Sequence, residues 1–439
     1  MPRFCDPPHT EQRQLSSGTL MGCCLAAKGN GRGGTKSGAL SIVFSMRDVQ
    51  KLGANTVVIL EPWEHVGHNA HGEEVRASHN VEHVLATGLG LSSACIPLWE
   101  VAGQMPPEDL ARALEGRALV LEGGAPLVYD PTTYTHPNCP RSYLFDLYKL
   151  LLRRRSKLGP CVFICLSHQM VAACLIELVK DAVKELAGME GEGAVLAEEI
   201  GLLGRKLRVM KADGVVAVGY QEEKFATAHN EIVESALLQL HPFEPPARRT
   251  GPDANEFAAC VEAHATVACK HDGKIEKMIK EEAKDDGLHI AMFHSAEVNV
   301  EGILFANWAL QKLKSAHSIL PWLEELPSSV EIVASTRHKD TKAVVTDVAS
   351  MRIDYKKAGA DTKSFYTCQF HPELCGELRD ARALAPKPYG VEDGSRLLAR
   401  LLNSKDSEYL CSSLGGCWQD AGRRPGSCTG GAGSRPRGG

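Results

Sequence analysis

The feature that most constrains the fold of this 439-residue chain is an apolar run followed closely by a long amphipathic segment. The run CVFI spans residues 161–164 without polar alternation, which is typical of a strand covered on both faces. The segment from Gln169 to Leu186 carries apolar residues at helical spacing. A strand that leads directly into a helix is the repeating unit of a parallel sheet with helices on its faces.

Other segments repeat the alternation of strand and helix. Strands are predicted at TVVILEP (56–62), ALVLEGG (118–124), HIAMFH (289–294), VEIVAST (330–336), AVVTDV (343–348) and FYTCQF (365–370). Helices are predicted from Pro106 onward, where two prolines and two acids open the segment, and at 142–154. The fold class that we expect is α/β, with a doubly wound, mostly parallel sheet and flanking helices.

The domain organisation follows from where this pattern begins, blurs and ends. We predict one domain over residues 40–400, with an inserted helical segment at about 187–288. Residues 1–39 are rich in Gly, Ser and Arg, which predicts a disordered extension or a weak organelle-targeting peptide. Residues 401–439 end in GGAGSRPRGG and are predicted to be a disordered tail.

Composition excludes several classes of protein. The formal net charge of −5 comes from 49 basic and 54 acidic residues, so neither nucleic acid nor a membrane surface is an expected partner. No apolar run is long enough to span a bilayer. The 15 cysteines cannot all pair within one chain and form no short-spaced framework, which indicates a reducing compartment such as the cytoplasm.

Cys165 is the candidate nucleophile, because it stands where an apolar strand ends and a helix begins. A sharp strand-to-helix turn exposes a side chain and aims helix-terminal N–H groups at it. The positive end of the helix dipole favours a thiolate there. A cysteine nucleophile also needs a base, and the base needs an orienting partner. His371 and Glu373 supply both: two residues apart in extended chain, they point to the same side.

Backbone donors for a developing oxyanion are also predicted. Such an oxyanion requires two N–H groups placed in advance. Leu166, which follows the nucleophile, supplies one. The glycine pair Gly123-Gly124, at the end of an earlier predicted strand, supplies the other, and Gly124 is our candidate.

These segments resemble the motifs of class I glutamine amidotransferases. ICLSHQ (164–169) resembles that family's nucleophile motif, and QFHPE (369–373) is identical to its His–Glu signature. LEGGAP (121–126) looks like its oxyanion loop, and MFHSAEV (292–298) is similar to a further family segment. The motifs occur in the family's order and cover roughly residues 41–400.

The resemblance implies a fold with flavodoxin-like layering and a Cys-His-Glu triad that needs no cofactor. Cys165 would form a thioester with the γ-carbonyl of glutamine or of another γ-glutamyl compound, and ammonia would leave glutamine. By the same resemblance Gln169 would line the glutamine site, and Ser295 and Ala296 would hold the α-carboxylate through their backbones. No synthetase domain follows, so we expect any ammonia acceptor to be a separate subunit.

This sequence departs from the family's pattern at the nucleophile turn. Phe163 and Ser167 stand where the family has glycine, and both are expected to crowd the turn. Ala125 and Glu122 depart from the oxyanion loop. Two alternatives therefore stay open: a γ-glutamyl hydrolase or peptidase, and a non-catalytic binding or regulatory module. An enzyme requires the Cys165 Sγ within hydrogen-bond reach of a His371 ring nitrogen, whereas a buried or blocked Sγ favours the binding module.

A histidine-rich stretch offers a rival interpretation. His79 and His83 match the H-x-x-E-H pattern of inverted zinc proteases, and on a helix they would share one face. A metal held by His65, His68 and His71 is a further alternative. No clear third ligand for the zinc pattern follows in the sequence, so we predict no metal at the catalytic site.

Overall fold

A computed structural model describes residues 40–64, 66–68, 74–128, 130–207, 209–210, 220–222, 238–243, 245, 250–251, 254–270, 288–290, 296–337, 348–356, 362–373 and 393–402. The predicted extension at 1–39, residues 403–439 of the predicted tail, residues 343–347 of one predicted strand, His65, His71 and Ser295 lie outside the described residues. The last described helix ends at Leu402, two residues past the predicted domain boundary.

The strands, numbered along the chain, are β1 Ser41–Ile42, β2 Val57–Glu61, β3 Val66–His68, β4 Glu74–Arg76, β5 Ser93–Pro97, β6 Leu119–Leu121, β7 Cys161–Ile164, β8 Tyr220–Glu222, β9 Leu238–Pro242, β10 Leu288–Ile290, β11 Ala296–Val298, β12 Ser329–Arg337, β13 Ser350–Tyr355 and β14 Lys363–Cys368. Within the described residues, ten of them form one sheet in the order β1-β5-β2-β6-β7-β14-β13-β12-β9-β10. The remaining four form two short pairs, β3 with β4 and β8 with β11.

The helices are α1 Met46–Lys51, α2 Ser78–Leu89, α3 Leu98–Val101, α4 Pro107–Ala113, α5 Arg141–Arg153, α6 Leu166–Ala187, α7 Glu192–Lys206, α8 Ala254–Lys270, α9 Val300–Ser315 and α10 Asp393–Leu402. Local sequence explains where several begin. Proline opens α4, where its missing N–H costs no hydrogen bond. The Asn299 side chain caps α9 by accepting from the N–H groups of Glu301 and Gly302.

The sheet is parallel in one half and antiparallel in the other. From β1 to β14 each neighbouring pair is parallel, and from β14 to β10 each pair is antiparallel. The predicted α/β class with flanking helices is confirmed. Within the described residues the sheet is mixed and mostly parallel: five of its nine neighbouring pairs are parallel, and they include both pairs that β7 forms. Strand β13 was not predicted from the sequence, because Arg352 and Asp354 interrupt its apolar pattern. All six of its residues are nevertheless buried.

Alternating strand residues divide the core into two layers. Val58, Leu60 and Phe163 join the core that packs under α4, α5, α6 and α9. Ile59 and Ile164 point to the opposite face, where α2 and α10 cover them. This alternation is the period of two that a strand imposes on its side chains. Both faces of the parallel strands are therefore covered, as their continuous apolar composition indicates.

The segment at 187–288 is more than a helical insertion. Helix α7 packs against α6, and α8 packs against α9 and β12. Strand β9, which lies inside this segment, pairs with β12 and so extends the main sheet. The described part of this segment therefore contains helices and also a strand of the main sheet. Residues 271–287 of this segment lie outside the described residues.

Candidate active site

Cys165 forms the turn between β7 and α6. Its backbone adopts φ 51° and ψ −110°, and it is the one non-glycine residue with positive φ in the part of the chain that the structure describes. A side chain with a Cβ pays a steric penalty in this region, so the surroundings must hold it there. The Cys165 N–H donates to the Cys368 carbonyl at 2.7 Å, and the Cys165 carbonyl accepts from the Gln169 N–H at 3.1 Å. Strand β14 and helix α6 thus fix the turn from both sides.

His371 and Glu373 reach this turn from the chain that follows β14. The His371 Nδ1 lies 2.7 Å from the Glu373 Oε1, with 13% and 8% of the two side chains exposed. The His371 ring also shares a side-chain hydrogen bond with Cys165. The three residues therefore form a continuous Cys–His–Glu arrangement. Cys165 itself is only 5% exposed.

The electrostatics of His371 favour its charged form. Burial on its own lowers the pKa of the imidazole, but the opposite charges of the Glu373 carboxylate and the Cys165 thiolate, with hydrogen bonds from both, raise that pKa well above its usual value. An imidazolium beside a cysteine stabilises the thiolate, which is the nucleophilic form of the residue. The arrangement is suited to attack on a carbonyl carbon and to protonation of a leaving amine.

Gln369 is a site residue to which the sequence gave no role. Its Nε2 lies 3.7 Å from the Cys165 Sγ, and its Oε1 accepts from the Gln169 Nε2 at 3.2 Å. Gln169, predicted to line the substrate site, is 4% exposed and donates this hydrogen bond to Gln369. The signal for Gln369 was its place at the head of QFHPE, directly beyond strand β14.

The glycine pair after β6 lies against the nucleophile. A Cβ built on Gly123 would sit 3.0 Å from the Cys165 Cβ and 3.2 Å from the His371 Cε1, so Gly123 is closer to the reacting groups than the predicted Gly124. A Cβ on Gly124 would meet the Leu166 side chain at 2.6 Å. Within the described residues, the backbone N–H groups of Leu166, Gly123 and Gly124 make no hydrogen bond to the backbone or to a side chain. Such donors are available to an oxyanion.

If the chain hydrolyses glutamine as the sequence resemblance implies, Gly123→Ala is expected to lower kcat of that reaction about 100-fold, because an added methyl group separates the thiol from the imidazole by a fraction of an ångström. Gly103→Ala is the matched control, since its Cβ would find its nearest neighbour at 3.6 Å, an ordinary contact. Glutamate release by both variants measures the effect. Equal activity of Gly123→Ala and the wild type would show that the close approach has no catalytic consequence.

Phe163 and Ser167 do not crowd the turn as expected. Phe163 points into the core on the face opposite Cys165, where its ring lies 5.9 Å from that of Tyr148 and 5.3 Å from that of Phe365. Ser167 is fully buried in the first turn of α6. Its hydroxyl donates to the Glu122 carbonyl and lies within hydrogen-bond distance of the Tyr148 hydroxyl.

Two buried carboxyl groups, those of Glu61 and Glu122, lie at the carboxyl ends of β2 and β6. Burial raises the pKa of Glu61 to about 7, although the Arg76 guanidinium, 3.4 Å away, opposes the shift. Burial also raises the pKa of Glu122 well above its usual value, and the nearby carboxylates of Glu61 and Glu373 raise it further. Neither carboxyl oxygen of the Glu122 side chain has a hydrogen-bond partner among the described residues. Burial among other acidic groups therefore favours the protonated, uncharged form of the Glu122 carboxyl.

The other predicted residues are placed only in part. Ser295 lies outside the described residues, and Ala296 begins strand β11, which pairs with β8. His79 and His83 lie on helix α2 as the zinc pattern requires, but the His79 Nδ1 is engaged with the backbone of Arg76. Among the described residues, no group of three His, Cys, Asp or Glu side chains is arranged to hold a metal ion. None of their helices has the length and apolarity to cross a membrane.

Comparison with known proteins leaves the chain without an assigned family. No protein-family model matches the sequence. No curated protein matches it significantly. The motifs and the geometry around Cys165 therefore carry the functional interpretation.

Proposed function

We propose that this chain is a class I glutamine amidotransferase-like amidohydrolase that cleaves glutamine, or a related γ-glutamyl amide, through a cysteine thioester. The observation that carries the proposal is the hydrogen-bonded series of Cys165, His371 and Glu373 at a strained strand-to-helix turn. The strand order supports the proposal: without the two-residue edge strand β1, the parallel strands β5-β2-β6-β7-β14 correspond to the flavodoxin-like order 2-1-3-4-5. The carboxyl ends of these strands are where such folds bind ligands.

In the proposed reaction the Cys165 thiolate attacks the γ-carbonyl carbon and forms a C–S bond. The carbonyl electrons move onto oxygen, and the N–H groups of Leu166 and of the glycine pair stabilise that charge. The His371 imidazolium protonates the nitrogen as the C–N bond breaks, so ammonia leaves and a thioester remains. Water then adds to the thioester with His371 as base, which releases glutamate and regenerates the thiol. Glu373 holds the tautomer and orientation of His371 throughout.

The burial of Cys165 supports a second candidate function. Cys165 is 5% exposed, and this burial favours a binding or regulatory module on the same fold, in which the triad no longer turns over. A γ-glutamyl hydrolase or peptidase would use the same Cys–His pair on a larger substrate. The three candidates differ in their substrate: the amidohydrolase cleaves glutamine or a γ-glutamyl amide, the hydrolase cleaves γ-glutamyl peptides, and the binding module cleaves neither.

Purified full-length chain is expected to release glutamate from glutamine or from a γ-glutamyl amide, and Cys165→Ser is expected to abolish that release. Cys260→Ala is the matched control, because Cys260 is also a buried cysteine but lies on α8. Release from γ-glutamyl peptides alone would select the hydrolase. Retained release by Cys165→Ser would contradict the proposed mechanism, and no release from any substrate by the wild type would favour the binding module.

A further inference from the structure

A buried serine on helix α6 ties the loop that carries the predicted oxyanion donor to that helix through a hydrogen bond. Ser167, two residues after Cys165, stands where the family that the sequence resembles has glycine. Its hydroxyl donates to the backbone carbonyl of Glu122, which directly precedes the glycine pair. A glycine at this position could not make that bond, so the tie belongs to this sequence and not to the motif.

A buried tyrosine completes the tie. A hydroxyl has one hydrogen, and Ser167 gives its own to the Glu122 carbonyl. The Tyr148 hydroxyl, 2.5 Å from the Ser167 Oγ, must then be the donor in their bond. Both side chains are completely buried, so water does not compete for either bond. Tyr148 on helix α5 thus orients the Ser167 hydroxyl toward the loop.

The peptide held in this way is the one that bears the Gly123 N–H. In a trans peptide the C=O and the N–H point in opposite directions, so a bond that anchors the Glu122 carbonyl also fixes the direction of the Gly123 N–H. Gly123 lies against the Cys165 Sγ and the His371 ring, and its buried N–H has no hydrogen-bond partner among the described residues. A donor fixed in advance stabilises an oxyanion without a cost of reorganisation.

We propose that Ser167, oriented by Tyr148, is a positioning residue that fixes the Glu122–Gly123 peptide so that the Gly123 N–H faces the oxyanion formed on attack by Cys165. The inference rests on the proposed function in that it assumes attack of Cys165 on a carbonyl carbon. It does not require that glutamine be the substrate.

Two covalent reactions of Cys165 separate this role from a merely structural one. With p-nitrophenyl acetate, the thiolate adds to the carbonyl, a C–S bond forms, the C–O bond breaks and p-nitrophenolate leaves through an oxyanion intermediate. With chloroacetamide, the thiolate displaces chloride at a saturated carbon, and no oxyanion forms. The ratio of the acylation rate to the alkylation rate at Cys165, followed by peptide mass mapping, therefore reports the oxyanion donors and not the reactivity of the thiol.

Ser167→Ala is expected to lower this ratio roughly 10- to 100-fold, somewhat less than the loss of a complete oxyanion donor. Tyr148→Phe is expected to lower it in the same direction by a smaller factor, because the serine remains. Tyr143→Phe is the matched control: this tyrosine is also buried on α5 and donates to a backbone carbonyl, that of Met105, away from the site. It should leave the ratio unchanged.

An unchanged ratio in Ser167→Ala, or equal falls in acylation and alkylation, would overturn the proposal. A wild-type chain that is alkylated but not acylated at Cys165 would overturn it as well, since no working oxyanion hole would exist. Failure of the glutaminase proposal is distinguishable, because it appears as absent glutamate release while the ratio of rates still responds to Ser167.

Discussion

Replacing Glu373 by glutamine is expected to lower kcat for glutamate release about 10³- to 10⁴-fold, by analogy with the loss of the orienting carboxylate in other triads. The amide keeps the shape of the side chain but removes the charge that lies 2.7 Å from the His371 Nδ1. The imidazolium formed during the reaction then loses its main source of stabilisation. Steady-state kinetics on both forms of the protein measure the effect.

The pH dependence gives this prediction a second readout. His371 acts as an acid in its charged form, so activity persists until the pH rises through its raised pKa. Glu373→Gln removes the largest attraction that raises this pKa. The alkaline limb of the kcat/KM profile should therefore move to lower pH in the variant.

Glu325→Gln is the matched control, since that carboxylate lies in an exposed pair with Arg153. It should alter neither kcat nor the pH profile. A Glu373→Gln variant with wild-type kcat and an unshifted alkaline limb would show that the carboxylate does not act on His371.

Replacing Arg352 by methionine is expected to lower the free energy of unfolding by about 3–5 kcal/mol, which is typical when one partner of a buried ion pair is removed. Arg352 on β13 lies 2.5 Å from the Glu331 Oε2 and 3.2 Å from the Asp354 Oδ2. All three side chains are less than 10% exposed. The substitution leaves two carboxylates buried without their cation.

Urea denaturation of the wild type and of Arg352→Met measures the difference. Lys51→Met is the control, because the Lys51–Asp48 pair is exposed and screened by water. Its denaturation midpoint should stay close to that of the wild type. A similarly small change in Arg352→Met would mean that the buried carboxylates are satisfied in another way.

Much of the parallel half of the sheet could be predicted from the sequence. Strand β7 has the bounds that the run CVFI indicated, and α6 contains the whole predicted amphipathic segment. These elements are long or continuously apolar, so local pattern and tertiary environment agree. The same agreement placed Cys165 at the turn between them.

In the antiparallel half, the run VEIVAST (330–336) predicted β12, whereas β13 and β9 could not be predicted from the sequence. In β13, Arg352 and Asp354 are buried because the Arg352 guanidinium pairs with the carboxylates of Asp354 and Glu331, a pairing that no local pattern reveals. Strand β9 has five residues and includes Pro242, which is tolerated near a strand end but weakens the signal. In such segments, contacts with residues distant in the sequence decide strand formation more than the intrinsic strand propensity of the residues does.

The candidate site shows a similar division. Cys165, His371 and Glu373 could be predicted from the sequence, because their residue types and spacing are those of a nucleophile, a base and the carboxylate that orients the base. The position of Ser167 could not, because its role depends on Glu122 and Tyr148, which three-dimensional packing brings to it. From the sequence alone, serine in place of glycine at position 167 suggests steric crowding. In the structure the same serine makes a hydrogen bond to the Glu122 carbonyl.

The most direct test of the central claim is covalent labelling of the full-length chain with a glutamine analogue that carries a chloroketone in place of the γ-amide. The account predicts one adduct at Cys165, formed faster than at any other cysteine, prevented by excess glutamine and absent from Cys165→Ser. Labelling that excess glutamine does not slow, or the absence of an adduct at Cys165, would contradict the claim that this triad recognises and attacks a γ-glutamyl group.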